Sequence, residues 1–183
     1  MKKRVIVFLV LGGLLVGGLV YWLVLWQVPQ KQIDQTPATN QQQSELEESI
    51  GIKNIHLFYY AQGQDEDENG NIQCSRQGLV PVERQIATSQ TLIQDTIQIL
   101  LQGKLTQEEK NAGISTEYPL EGFMLVNTTL QDDVLTLEFA DPLNKTVGGS
   151  CRVGILWFQI EETAKQFEGV NQVRFTPEDL FQP

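Results

Sequence analysis

Residues 123–140 read FMLVNTTLQDDVLTLEFA and contain two apolar runs joined by the polar triplet QDD. Short polar turns between two β-rich runs are typical of a β-hairpin. Apolar and more polar residues alternate in the second run, so one face of that strand should be buried and the other solvated. The residues assigned to the buried face are Leu135, Leu137 and Phe139.

Two segments around this hairpin have helical periodicity. Residues 150–167 form the clearest predicted helix, which Gly169 ends. Its apolar stripe consists of Val153, Leu156 or Trp157, Ile160, Ala164 and Phe167. An earlier helix should begin at an N-cap, Thr88 or Ser89, and continue to Gly103. Its repeating apolar residues are Leu92, Ile93, Ile97, Leu100 and Leu101.

The remaining strands complete the predicted fold. Residues 55–60, IHLFYY, are β-rich, and residues 170–176 should form the last strand. Residues 79–85 contain Pro81, which restricts them to a sheet edge. The resulting order is β-β-α-β-β-α-β, with a polar loop over residues 62–78 and a short helix possible at 106–111. This pattern predicts an α+β two-layer sandwich: a small, mostly antiparallel sheet with two helices.

Charge is distributed unevenly along the 183 residues, whose formal net charge is −10. Three of the 13 basic residues lie within residues 1–4, residues 5–26 carry no charge, and all 23 acidic residues follow. The 10 remaining basic residues leave everything after residue 26 at −13. Such an acidic body argues against nucleic acid as a partner, since phosphate binding requires clustered Lys and Arg. One His and two Cys exclude a His-rich or Cys-rich metal site.

Residues 5–26, VIVFLVLGGLLVGGLVYWLVLW, are long enough to span a bilayer core of about 30 Å. The basic tip before them, residues 1–4, predicts a cytoplasmic N-terminus, with the rest outside the cell membrane. The alternative is a cleaved signal peptide. The length of the apolar run and the lack of an A-x-A-like site favour an uncleaved single-pass anchor. The step Gly13–Gly17 matches a helix-dimer motif, although glycine is also simply frequent in membrane spans.

The sequence after the anchor divides into three parts. Residues 27–51 are rich in Gln and poor in apolar residues, which is typical of a tether. Residues 52–176 have the size of one domain. Residues 177–183 form a short tail.

Residues 65–72, DEDENGNI, match the first eight positions of a calcium-binding loop. Asp65, Asp67 and Asn69 would be the ligands, with Gly70 at the turn. The twelfth position should be Glu but is Arg76, and the flanking helices are missing. The alternative is a solvated acidic turn between strands.

Cys74 and Cys151 are the only cysteines, and both would lie outside the membrane. An even count in an oxidising compartment predicts a disulfide between them, the alternative being two separate thiols. A hydrolase would require two carboxylates facing each other across a cleft, and the sequence does not indicate such a pair. The candidate carboxylates are Asp132, Asp133, Asp141, Glu161 and Glu162. The single His56 and the aromatic pair Trp157–Phe158 fit packing or surface positions.

The segment of residues 52–176 resembles the GerMN domain, a sporulation and germination module of bacterial envelope proteins. The matching stretches lie in the same order in both. They are YY at 59–60, LVPVER at 79–84, ILLQG at 99–103, residues 133–139, GGSC at 148–151 and FEGVNQV at 167–173. The resemblance implies a small α+β fold similar to ring-building modules of secretion machines. It also implies an extracytoplasmic, membrane-associated protein with no catalytic residues and no cofactor.

Three functions follow as hypotheses. The first is a non-catalytic scaffold that docks envelope proteins or copies of itself through sheet-edge or helix-face contacts. The second is a module that binds cell-wall glycan or calcium through residues 63–78. The third is an envelope hydrolase.

Overall fold

The structure is a computed structural model that describes residues 51–182. The predicted cytoplasmic tip, the membrane anchor and all of the linker but residue 51 lie outside these residues. Within the described part, none of the helices has the length and apolarity needed to cross a bilayer.

The first sheet contains β1 (Ile52–Ala61), β2 (Leu79–Ala87) and β3 (Ile114–Ser115) in the order β2-β1-β3, all antiparallel. Side chains alternate along β1, so Ile55, Leu57 and Tyr59 are buried while His56 is exposed. Pro81 lies on β2, which has a strand neighbour on one side only. The predicted edge position of this proline is confirmed.

The second sheet contains β4 (Met124–Gln131), β5 (Val134–Ala140) and β6 (Gln172–Thr176) in that order. Strands β4 and β5 form the predicted hairpin, and the predicted inward set of β5 is buried. The two turn residues, Asp132 and Asp133, have φ values of 50° and 62°. Positive φ at both positions is the requirement of a two-residue type I′ turn, which suits the twist of the strands.

The predicted α+β class is confirmed, but the prediction of a single sheet is wrong, because the strands of residues 51–182 separate into two three-stranded sheets. The described residues contain three α-helices rather than two, the third being the short helix considered at 106–111. Strands β5 and β6 are parallel. Their connection contains a long helix, and such a crossover returns the chain in the same direction. Strand β3 was not predicted; a two-residue strand leaves no period in the sequence.

The three helices are α1 (Leu92–Leu101), α2 (Gln107–Asn111) and α3 (Ser150–Lys165). Their N-termini differ from the prediction in one place: α1 is preceded by Thr91, not by Thr88 or Ser89, and the Thr91 side chain does not cap the helix. The hydroxyls of Ser89 and Thr91 instead donate to the carboxylate of Asp95. Helix α2 begins with a reciprocal capping box between Thr106 and Glu109.

Helix α3 packs against β1, α1 and β6, which places it at the centre of one shared core. Its buried stripe agrees with the prediction at Val153, Leu156, Ile160 and Ala164. The core continues through aromatic side chains of the second sheet and the tail: Phe123, Phe139, Phe175 and Phe181.

Gly103 ends the α1 region in the left-handed conformation, with φ of 60°. A Cβ atom there would collide with the backbone carbonyl of Tyr118. Both the backbone angle and the close approach therefore require glycine at this position.

Candidate functional site

Residues 62–78, here called the stapled loop, connect β1 to β2. The loop begins with a 3₁₀ turn at Gln62–Gln64 and ends with another at Arg76–Gly78. One antiparallel bridge joins Glu66 to Ile72. The sequence predicted this segment as a loop, and the structure confirms it. Its shape is fixed by hydrogen bonds within the loop and by contacts with β1 and α3.

A disulfide joins Cys74 of this loop to Cys151 in the first turn of α3, with the two Cα atoms 5.1 Å apart. The predicted pairing is therefore present in the structure. The bond spans 77 residues of sequence, so it links the first half of the domain to its last helix.

Asp65 anchors the inside of the stapled loop. Its side chain is 2% exposed and accepts hydrogen bonds from the Tyr60 hydroxyl at 2.7 Å, the Ser75 backbone N–H at 2.6 Å and the Ser75 hydroxyl. Burial by itself raises the pKa of the Asp65 carboxyl, but the donors from Ser75 and Tyr60 outweigh burial and hold it below its usual value. Gly78 leaves room for this network, since a Cβ there would lie 2.8 Å from the Asp65 Cβ.

Arg76 holds the end of the loop against α3. Its guanidinium pairs with Glu161 and lies 3.8 Å from a carboxylate oxygen of Glu162. It also lies over the Phe158 ring, 4.2 Å from the centroid. Glu161 pairs in addition with Lys165 at 2.6 Å, and these two cations help to hold the Glu161 pKa below its usual value against the effect of burial.

The structure does not bring the predicted calcium ligands together. The Asp65 carboxylate points into the network just described. Asp67 accepts the backbone N–H groups of Asn69 and Asn71, each at 2.8 Å, and the Asn71 side-chain amide. Within residues 51–182, no group of three or more His, Cys, Asp or Glu side chains is placed to hold a metal ion. Calcium binding by Asp65, Asp67 and Asn69 stays a prediction.

Four of the five other candidate carboxylates have structural partners, while Asp132 occupies the hairpin turn. Asp141 accepts the backbone N–H groups of Lys145 and Thr146, both at 2.8 Å, and so closes its own loop. Asp133 accepts the side-chain amide of Asn171 at 3.1 Å and joins the hairpin turn to the residue just before β6. Glu161 and Glu162 lie against Arg76. Each of these groups stabilises a loop or a helix contact.

One half-buried ion pair was missed from the sequence. Arg84 of β2 binds Glu109 of α2 through both carboxylate oxygens, at 2.8 and 2.9 Å. The nearby Tyr59 is fully buried, and burial raises the pKa of its phenol to about 12. The pattern Thr-x-x-Glu at 106–109 indicated the capping box that orients Glu109, but nothing local in the sequence indicated Arg84 as its partner.

Within residues 51–182, exposed apolar side chains border a groove and also lie along β4. The groove has a volume of about 230 Å³ and lies between α3, β6 and the tail, bordered by Trp157, Phe175 and Phe181. Strand β4 carries three of the large apolar side chains that remain exposed: Met124, Val126 and Leu130.

Comparison with known proteins gives one family and a set of distant structures. Among solved structures, the chain is similar to the tandem GerMN domains of the sporulation protein GerM from Bacillus subtilis, at 20% identity and a TM-score of 0.49. That similarity covers 70% of this chain and 40% of the other, so this chain spans less than half the length of the tandem-domain structure. The first GerMN domain of the same protein is similar at 16% identity and a TM-score of 0.44, over 69% of this chain and 86% of that domain.

No curated protein matches the chain. The family described as Germane, sporulation and spore germination, matches residues 57–179. That range runs from β1 past the end of β6 and includes both sheets, all three helices and the stapled loop. The chain therefore belongs to the Germane family.

Proposed function

We propose that this protein is a non-catalytic, membrane-anchored module that docks other proteins outside the cytoplasmic membrane and so supports assembly of a bacterial cell-envelope complex. The disulfide between Cys74 and Cys151 carries this proposal. Disulfides persist in oxidising compartments and are rare in the cytosol, so the pairing supports an extracytoplasmic domain. The apolar residues 5–26 supply the means of anchoring.

The stapled loop supports a binding role. A loop of this length would lose considerable conformational freedom on meeting a partner, and that loss weakens binding. Here the disulfide, the Asp65 network and the Arg76 contacts fix the loop in advance. Ile72 remains 43% exposed on it. A rigid loop with an exposed aliphatic side chain is a suitable docking element.

The family supports a non-catalytic role, because Germane domains have no known catalytic function. Four of the five carboxylates that the sequence offered for acid–base chemistry support this role, since they bind backbone amides, a side-chain amide or cations of the same fold. A hydrolase would instead place two carboxylates on either side of a substrate cleft.

Photo-crosslinking in intact cells tests the proposal. A crosslinkable amino acid replaces Ile72 in the full-length protein, and the matched control replaces exposed Lys53 at the start of β1. We expect defined envelope proteins to be captured from position 72 and not from position 53, with the disulfide oxidised on non-reducing gels. Equal capture at both positions, or a reduced protein in the cytosol, would contradict the proposal.

A further inference from the structure

We infer that β6 binds an extended peptide segment of another envelope protein, which adds to its outer edge as a fourth strand of the second sheet and places an acidic residue against Arg174. This inference rests on the proposed docking function and names the docking surface and the chemistry of the partner. In the sheet order β4-β5-β6, β6 has one strand neighbour among the described residues. An edge of this kind can accept an added strand where the space beside it is open.

The groove between α3, β6 and the tail lies along that edge. Its lining includes the four consecutive residues 172–175 of β6, together with Trp157 of α3. Since successive side chains of a strand point to opposite faces, a groove that reaches all four residues runs along the edge of the strand. The space beside β6 is therefore open, over a volume of about 230 Å³.

The backbone of β6 has hydrogen-bonding groups directed toward this groove. The N–H of Gln172 donates to the carbonyl of Asp133, on the β5 side. Alternate residues of a parallel pair direct their N–H and C=O to the same neighbour, so those of Val173 and Phe175 point to the outer edge. Among the described residues, neither of these two N–H groups has a hydrogen-bond acceptor on that side.

Arg174 indicates the charge of the partner segment. The described residues contain three other arginines, Arg76, Arg84 and Arg152, and each pairs with a carboxylate. Arg174 is exposed beside the groove and has no ion pair within residues 51–182. Its guanidinium is therefore available to bind an incoming carboxylate through charge-assisted hydrogen bonds.

The two faces of β6 determine the side-chain pattern of the added segment. Arg174 lies on the outer face, whereas Val173 and Phe175 are buried on the inner face, where the Trp157 ring lies 5.3 Å from that of Phe175. A residue directly opposite Arg174 shares its face, and the residues on either side of it point inward. The segment should therefore read apolar–acidic–apolar, with its apolar side chains covering Trp157, which is 37% exposed.

The rest of the groove limits how acidic the segment can be. Glu178 also lines the groove, and residues 27–183 carry −13 in total. Further acidic residues would be repelled, so we expect one acidic residue in a segment that is otherwise uncharged or basic. The same net charge disfavours a second copy of this chain as the occupant.

Hydrogen exchange measured by mass spectrometry on the full-length protein in detergent tests this site with a defined probe. The probe is the peptide acetyl-Lys-Thr-Val-Glu-Val-Thr-Lys-amide, and its matched control has Gln in place of Glu. We expect the Glu peptide to protect residues 172–176 at least about threefold at about 1 mM, as a Kd near 0.5 mM gives. The Gln peptide should bind about tenfold more weakly, although its extra positive charge would favour it in any nonspecific attraction to the acidic protein.

Substitution of Arg174 tests the charge pair itself. The variant Arg174→Glu should lose protection by the Glu peptide, and the same peptide with Lys in place of Glu should restore it. The matched control Lys110→Glu makes the same change of charge at an exposed position of α2 and should bind the Glu peptide as the unsubstituted protein does. Rescue by the Lys peptide requires a folded variant, so it separates loss of the site from loss of the fold.

Three outcomes would overturn the site. They are no protection of residues 172–176 by the Glu peptide, equal protection by the Glu and Gln peptides, and an undiminished preference for the Glu peptide in the milder variant Arg174→Gln.

Photo-crosslinking in cells identifies the natural occupant. A crosslinkable amino acid in place of Gln172, which lines the groove, should capture a segment of an envelope protein in which one acidic residue lies between two apolar ones. Capture of glycan or of a second copy of this chain would overturn the inference. Capture of envelope proteins from position 72 but not from position 172 would overturn this site and leave the docking function standing.

Discussion

The stapled loop and the β4–β5 hairpin are both reversals of the chain between antiparallel strands, but they are fixed by different means. The hairpin is fixed locally, by two residues of positive φ and by strand alternation. The loop is fixed partly by the hydrogen bonds of Asp65 and mainly by residues far away in sequence, since Cys151, Glu161 and Phe158 all lie on α3. Local turn chemistry can therefore be recognised in the sequence, whereas a loop that is fixed from outside depends on the whole fold.

Among the changes that test this difference, removal of the disulfide should lower the free energy of unfolding most. Replacing both cysteines, Cys74→Ser with Cys151→Ser, should lower the free energy of unfolding by about 4 kcal/mol, because the bond restricts a 77-residue separation in the unfolded chain. Urea unfolding of the oxidised, reduced and doubly substituted protein measures the change. Equal urea midpoints for all three forms would mean that the disulfide does not stabilise the protein.

Asp65→Asn should have the next largest effect, about 2 kcal/mol at neutral pH, since it leaves buried donors of Ser75 and Tyr60 poorly matched. Thermal unfolding measures this loss, and Glu68→Gln in the exposed part of the loop is the matched control.

The same carboxylate should make stability depend on pH. The folded pKa of Asp65 lies below its usual value of 3.8. Its contribution is therefore complete above about pH 4 and is lost as pH falls through the folded pKa. Asp65→Asn should reduce that acid-dependent loss, and an unchanged pH profile would assign the loss to other carboxyls.

Arg76→Ala should cost about 1 kcal/mol, from the loss of its partly exposed ion pairs and its contact with the Phe158 ring. Arg76→Lys preserves the charge but not the planar contact with the ring, so it should recover part of the loss. Chemical unfolding at low and high salt separates the two contributions, because salt screens the ion pair. Full recovery by lysine would show that the ring contact contributes nothing.

On the hairpin side, Asp132→Asn should stabilise the protein by about 0.5 kcal/mol. Asn adopts the positive φ of the first turn position readily, and the change removes one of two adjacent negative charges. The substitution Thr129→Asn, at an exposed position of β4, is a control outside the turn. A destabilised Asp132→Asn protein would mean that the Asp132 carboxylate has a role that its turn geometry does not explain.

Calcium should have the smallest effect. Because the Asp65 oxygens already accept hydrogen bonds from Tyr60 and Ser75, we expect millimolar calcium to leave the melting temperature unchanged. A rise that disappears in Asp67→Asn would instead confirm the calcium site predicted from the sequence.

The elements with strong periodicity could be predicted from the sequence. The inward set of β5, the hairpin turn, helix α3 and the edge position of Pro81 all follow from local pattern. The separation into two sheets could not be predicted, because strand pairing depends on long-range contacts that leave no local period. The start of α1 was predicted at Thr88 or Ser89, whereas Thr91 directly precedes the helix. The sequence offers several hydroxyl residues there as N-caps, but the Ser89 and Thr91 hydroxyls both donate to the Asp95 carboxylate.

The candidate site was predicted in part. Counting cysteines and inferring the compartment were sufficient to pair Cys74 with Cys151. The acidic run at 65–68 suggested a cation site. The sequence alone does not show that Asp65 is buried and therefore not free to bind a cation. Asp65 accepts internal donors that come from Tyr60 before the loop and Ser75 near its end.

The position of the disulfide also has a mechanical consequence. If the domain is pulled between Gly51 and Gln182, the chain between Cys74 and Cys151 cannot extend while the bond is intact. About 77 residues are thereby shielded from force, which at roughly 3.4 Å per residue removes about 260 Å from the length that unfolding could release. Strand β1, at the N-terminal pulled end, lies between β2 and β3. With the disulfide intact, unfolding can therefore release only the segments on either side of it, roughly 180 Å at about 3.4 Å per residue.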